Sequence, residues 1–187
     1  MKKFELTNEF ITNMFGTKLF RIRALVEFGD VEAGELGGYV EKESNLGHDD
    51  NAWVYDNAWV YGNARVYGDA QVSGDAWVYG NARVYGDAQV SGDARVYDNA
   101  WVCGDARVCG DARVCGNGDY AYAHGFGSVN RTTTFFRLKD GGVGVRCGCF
   151  YGTLAQFRDK IRETHGETKK AQEYLMLADL MKLRFEK

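Results

Sequence analysis

Residues 51–116 read NAWVYD NAWVYG NARVYG DAQVSG DAWVYG NARVYG DAQVSG DARVYD NAWVCG DARVCG DARVCG. Eleven hexads follow one another without an insertion. The pattern is Asn or Asp, Ala, a variable residue, Val, then Tyr, Ser or Cys, then Gly or Asp. Ala and Val stand two apart, so an extended segment turns both to one side and the variable residue to the other. Gly followed by Asn or Asp suits a corner, because these residues best tolerate left-handed backbone. Each hexad therefore predicts a short strand and a bend, and three hexads close a triangular coil of 18 residues. Val fills the interior, and the small Ala fits beside the corner. Stacked at the usual strand spacing of ~4.8 Å, the 66 residues make somewhat under four coils. The expected fold class is mainly β, a parallel β-helix with a β cap before it and a small unit after it.

The whole chain agrees with this reading. Its 187 residues fit one domain with small appendages. Twenty-four Gly with no Pro excludes collagen and points to many corners of one kind. A net charge of −3 gives no bulk electrostatic case for nucleic acid. No apolar run approaches the ~20 residues of a membrane span. The stretch MKKFELTNEFITNMF is interrupted by Glu5, Asn8 and Glu9 and lacks the apolar centre of a signal peptide, so the expected location is the cytoplasm.

An 18-residue coil turns sequence into columns. Trp53, Gln71, Gln89 and Arg107 form one, Trp59, Trp77, Arg95 and Arg113 a second, and Arg65, Arg83 and Trp101 a third. At the corners, Tyr61, Tyr79 and Tyr97 lead to Cys115, Tyr67 and Tyr85 to Cys103, and Tyr55, Ser73 and Ser91 to Cys109. An exterior rich in Trp, Tyr and Arg has the composition of interaction hot spots, and such columns can also stack bases and hold phosphates. Identical side chains stacked into ladders also stabilise neighbouring coils. Trp at mid-face positions is better accounted for by an interface, and a trimer through the prism faces is the favoured assembly. Five Arg, no Lys and eight Asp in the repeat argue against a nucleic-acid groove and leave a small anionic ligand as an option. The candidate contact residues are Trp59, Trp77, Trp101, Arg65, Arg83, Arg95 and Arg113.

The flanks divide the chain into residues 1–50, 51–116 and 117–187. Residues 18–28 (KLFRIRALVEF) alternate as a strand, and Gly37 to Leu46 read as an irregular coil covering the open end of the helix. Residues 117–130 read as a loop. TTTFFRLK and VGVRCGCF, around Asp140-Gly141-Gly142, predict a hairpin. Thr153 caps a helix that Gly166 stops, and Thr168 caps a second, with Ala171, Tyr174, Leu175, Ala178, Leu180 and Met181 as its apolar set. The C-terminal region is thus expected to be a ββαα unit.

The hexads resemble those of the bacterial hexapeptide transferases, which implies a left-handed coil. The segments FRIRALVEFGDVEAGELGGYVEKESNL and FFRLKDGGVGVRCGCFYGTLAQFRDKIRETHG resemble a family common in bacteriophage and prophage genomes. That resemblance implies a phage context in the host cytoplasm. By analogy, it suggests an inhibitor of host defence that binds a host protein or sequesters a nucleotide-like signal.

Catalysis is weighed against this. Transferases of the hexapeptide type use a His as general base, whereas the hexads contain none; His48, His124 and His165 lie outside them and read as surface residues. Cys103, Cys109 and Cys115 fall on successive corners, beyond the ~7 Å Cα reach of a disulfide. Cys147-Gly148-Cys149 is placed on a strand with both side chains on one face, half a metal site at most. The expected function is a non-enzymatic, oligomeric binding protein with no catalytic residue, metal or cofactor. The alternatives are an acyltransferase-like enzyme and a virion-associated scaffold.

Overall fold

The computed structural model describes residues 2–126 and 130–186. The chain begins with strands β1 (Phe4–Thr12), β2 (Lys18–Ala24) and β3 (Leu36–Val40), followed by a single 3-10 turn over Glu43–Asn45. The hexads then give eleven two-residue strands: β4 (Trp53–Val54), β5 (Trp59–Val60), β6 (Arg65–Val66), β7 (Gln71–Val72), β8 (Trp77–Val78), β9 (Arg83–Val84), β10 (Gln89–Val90), β11 (Arg95–Val96), β12 (Trp101–Val102), β13 (Arg107–Val108) and β14 (Arg113–Val114). β15 (Tyr120–Phe126), β16 (Arg131–Arg137), β17 (Val143–Cys147) and β18 (Phe150–Thr153) follow, then α1 (Leu154–His165) and α2 (Lys169–Phe185).

The hexad strands pair in parallel with partners 18 residues on, such as Trp59 with Trp77 and Gln71 with Gln89. They build three faces: β4-β7-β10-β13, β6-β9-β12, and β5-β8-β11-β14. Every Ala and Val of the pattern is fully buried between them, so the chain is a β-solenoid of about four turns with a dry interior. Corners carry left-handed backbone, φ 71° at Gly80 for example. There an added Cβ would stand 2.9 Å from the Asp98 backbone N of the next coil, so both conformation and close stacking demand glycine.

Hydrogen bonds between coils run one way. The N–H of each strand residue donates to a carbonyl of the following coil, as Trp77 N–H does to Ala94 and Arg83 N–H to Ala100. The first coil is therefore left with unmatched carbonyls, the last with unmatched N–H groups, and both ends need capping.

At the start, the caps are donors. Lys3 is buried, and its Nζ donates to the carbonyls of Asp50 (2.7 Å) and Ala52 (2.8 Å). Asn45, also buried, gives its side-chain N–H groups to the carbonyls of Gly62 and Ala64. β3 donates from Tyr39 and Glu41 to Ala58 and Val60. β3 runs parallel to β5, β2 antiparallel to β3, and β1 antiparallel to β2, so one solenoid face continues as a seven-stranded sheet. Phe4 and Phe28 close over Trp53, which is wholly buried. Trp53 thus belongs to the cap's core rather than to the exterior column in which its spacing placed it.

At the finish, the caps are acceptors. Thr134 Oγ1 accepts from Arg107 N–H (2.9 Å), Asn117 Oδ1 from Trp101 N–H (2.8 Å), and one Asp119 oxygen from the N–H groups of Cys115 and Gly116. Phe136 and Tyr120 plug the apolar end of the solenoid core.

The C-terminal unit is a four-stranded antiparallel sheet, β15-β16-β17-β18, with two helices. It therefore has two strands more than the predicted ββαα. β15 occupies much of the predicted loop, because its Tyr- and Ala-rich run pairs with β16 from Tyr120 opposite Phe136 to Phe126 opposite Arg131. β18 follows a two-residue turn, Gly148-Cys149, with Cys147 opposite Phe150. Gly148, at φ 58°, fills the first central position of that turn, so Cys149 stands in a turn and not on a strand. Likewise the strand expected over residues 18–28 ends at Ala24. Neighbouring Phe135 and Phe136 point to opposite faces of β16, one into the helix-covered core and the other into the solenoid. The helix starts agree with the sequence. Thr153 and Gln156 form a capping box, Gly166 sits at the end of α1 with φ 56°, and Thr168 caps α2. Leu180, counted in the apolar set, faces outward and is 56% exposed, while Met181 takes the buried position.

Burial holds the Lys3 pKa below its ordinary value, against the opposing pull of Asp50. Its role as a cap is open to test. Lys3→Met keeps the apolar stem and removes the donors, and Thr134→Val removes an acceptor at the other end. Each is expected to lower unfolding stability by about 1–3 kcal/mol through an unmatched backbone group, measured by guanidinium titration. Wild-type midpoints in both variants would refute the capping account.

Candidate functional site

Of the residues singled out in the sequence, Trp59, Trp77, Arg95 and Arg113 lie in register on the β5-β8-β11-β14 face. The indoles of Trp59 and Trp77 stack with centroids 4.5 Å apart and planes 5° apart. The guanidinium of Arg95 lies 4.1 Å over the other side of Trp77, and Arg113 donates to the carbonyls of Asp93 and Ala112. The column also continues backwards. Tyr39 pairs with Trp59, and Arg21 lies 5.0 Å over the Tyr39 ring. The sequence reading missed both. Tyr39 stands 20 positions before Trp59 rather than 18, because the 3-10 turn lengthens the connection.

Beside this column runs a corner ladder of Tyr61, Tyr79 and Tyr97, at ring spacings of 5.0 and 5.1 Å. Burial pushes the Tyr61 pKa up to about 12, with Tyr79 adding to the rise and Arg95 opposing it. Burial also raises Tyr79, again against Arg95. The hydroxyls are therefore neutral across the physiological range and can donate and accept hydrogen bonds.

Arg65, Arg83 and Trp101 share a different face, β6-β9-β12. All three are exposed; Arg83 lies 4.8 Å over the Trp101 ring and Arg65 5.8 Å from the Tyr67 centroid. The seven residues thus fall on two faces, because only positions 18 apart share one.

The geometry also limits what the indoles can do. Both sides of Trp77 are occupied, by Trp59 and by Arg95. A base cannot slide over that ring without displacing one of them. What the half-buried column offers to solvent is its ring edges, flanked by tyrosine hydroxyls: a flat, pre-ordered aromatic surface.

The cysteines are free thiols with separate neighbours. Cys103 Sγ lies 3.6 Å from the Tyr120 hydroxyl, and Cys115 donates to Asp119; Asp119, through that bond, and burial hold the Cys115 thiol pKa up. Burial does the same for Cys109. Among the described residues, no three His, Cys, Asp or Glu side chains gather as a metal site. His48 stacks on Phe4, and its Nδ1 accepts from Lys3 N–H. His124 Nδ1 lies 2.8 Å from Thr132 Oγ1, and His165 stacks against Tyr174. Two solvent-facing cations, Arg131 and Lys160, stand with His165 around a recess between β17, β18 and α1. These residues are far apart in sequence and belong to no repeat, so no spacing signalled them.

A family model described as YdcK beta solenoid repeat matches residues 58–74, 70–86, 76–90 and 88–104, all within the solenoid. Comparison of the chain with curated proteins yields no significant match. Among the described residues, no helix is long and apolar enough to cross a membrane.

Two optical signatures follow. Trp77→Ala should abolish the exciton-split tryptophan band in far-ultraviolet circular dichroism, which needs two parallel indoles in contact; Trp101→Phe should leave it intact. Trp101, 43% exposed, should supply the most readily quenched fluorescence, and the fully buried Trp53 the least. If acrylamide quenched the Trp101→Phe variant as fully as the wild type, this placement would be refuted.

Proposed function

We propose that this chain is a non-enzymatic binding protein, with the solenoid as a rigid rod and the Trp59–Trp77–Arg95 column with its tyrosine ladder as the docking surface for a protein partner. The observation that carries this is the saturation of the stack. Ring faces engaged with each other and with Arg95 leave a flat edge surface that suits another folded surface better than a flat ligand. Aromatic and arginine side chains dominate binding energy at interfaces, and side chains already held in ladders lose little entropy on docking. The resemblance of both flanks to phage and prophage proteins supports a host protein as the partner and inhibition of host defence as the outcome. We also take the coil to be left-handed, as in the transferases its hexads resemble.

A closed homo-oligomer through the same face, a trimer in the simplest case, is the second reading. It is favoured by the placement of Trp at mid-face, where isolated coils would leave it wet. Sedimentation equilibrium of the wild type and of Trp59→Ser/Trp77→Ser separates the two. Self-association predicts an oligomer that the double variant reduces to a monomer. Partner docking predicts a monomeric wild type whose specific host protein, recovered from infected cells, is lost in the variant. A monomeric wild type whose recovered proteins are unchanged by the substitutions would refute both.

A further inference from the structure

The recess between the C-terminal sheet and α1 has the features of a separate ligand site. It encloses about 240 Å³, below the ~300–1,000 Å³ usual for drug-sized ligands and equal to the space of about eight waters at ~30 Å³ each. Its floor is apolar: Phe157 and Tyr174 are buried, and Phe150 lies against Phe157 at 5.4 Å. Its rim is cationic, with Arg131 and Lys160, and none of the lining residues carries a carboxylate.

Arg131 is placed rather than free. Its guanidinium lies over Gly148, in the space a side chain there would fill, so the left-handed glycine of the turn fixes both backbone and cation. Among the described residues, Arg131 forms no ion pair. Lys160 pairs only with Glu163, one turn along the exposed side of α1, a contact that solvent screens and that leaves the ammonium able to turn inward. Tyr174 is held by a bond from its hydroxyl to the Phe126 carbonyl, with the Cys147 thiol beside it. A rigid aromatic floor beneath an uncompensated, forked cation matches one kind of small molecule, because a guanidinium takes carboxylate or phosphate oxygens two at a time.

We propose that this recess binds a small single-ring aromatic anion, its ring on Phe150, Phe157 and Tyr174 and its carboxylate or phosphate facing Arg131 and Lys160. The site is distinct from the solenoid face and does not depend on it. Benzoate and phenyl phosphate serve as probes, with benzyl alcohol and inorganic phosphate as controls, read by NMR on the full chain through the methyl signals of Ile161 beneath the recess. Both aromatic anions are expected to shift Ile161 saturably in about the millimolar range. The controls, each lacking one half of the recognition, should bind ~10-fold more weakly or not at all. Arg131→Gln/Lys160→Gln should weaken the anions by ~10-fold. Thr164→Trp, at the exposed rim, should block entry while leaving the thermal midpoint unchanged. Preference between the two probes reports carboxylate against phosphate. No saturable shift with either anion, equal binding of either control, or unchanged binding in the double variant would overturn the proposal.

Discussion

The direction of the hydrogen bonds between coils governs the rest of this molecule. Every strand N–H points toward the next coil and every matching carbonyl toward the previous one. In the middle of the solenoid, this makes each coil both donor and acceptor, so a two-residue strand suffices. At the ends, it creates opposite deficits that water-excluding caps must meet, since an unmatched buried backbone group costs more than a made bond contributes. The two caps are accordingly chemical opposites. The first presents an ammonium and an amide, the second a hydroxyl, an amide oxygen and a carboxylate. The same Asn type serves at both ends with opposite ends of its side chain, nitrogen at Asn45 and oxygen at Asn117.

A scaffold so constrained leaves function to its outward positions and its appendages. The interior cannot vary without loss of packing. The variable residue of each hexad can, and here it runs from aromatic to cationic within one column. The consequence is an order imposed along the rod: Tyr39, Trp59 and Trp77 toward the N-terminal cap, Arg95 and Arg113 toward the C-terminal unit. Side chains held at coil spacing by their backbone have few alternative arrangements, which gives this face its flatness and removes Trp77 from direct base stacking.

Much of the solenoid was legible in the sequence because every position is repeated. Ala and Val announce the interior, Gly the corners, and the 18-residue period the register of each column. Trp53 was misleading because its hexad matches the others and only the distant Phe4 and Phe28 bury it. β1 was not readable because FELTNEFIT mixes polar and apolar residues without clean alternation, its outward side being exposed. β15 was hidden in a stretch whose Tyr, Ala, His and Gly suit a loop equally well. The recess in the C-terminal unit gave no local signal at all, since Arg131, Phe157 and Tyr174 meet only after sheet and helices have packed.

The segment NARVYGDAQVSG occurs twice, at residues 63–74 and again at 81–92. Two-thirds of one coil is thus an identical copy of the next. Copies of a whole coil are interchangeable parts: gain or loss of 18 residues would lengthen or shorten the rod and leave both ends facing as before. Gain or loss of a single hexad would turn one end against the other by a third of a revolution and carry every downstream residue to a new side. The solenoid is therefore a graduated shaft, on which length and the relative bearing of the two ends can be reset by duplication alone.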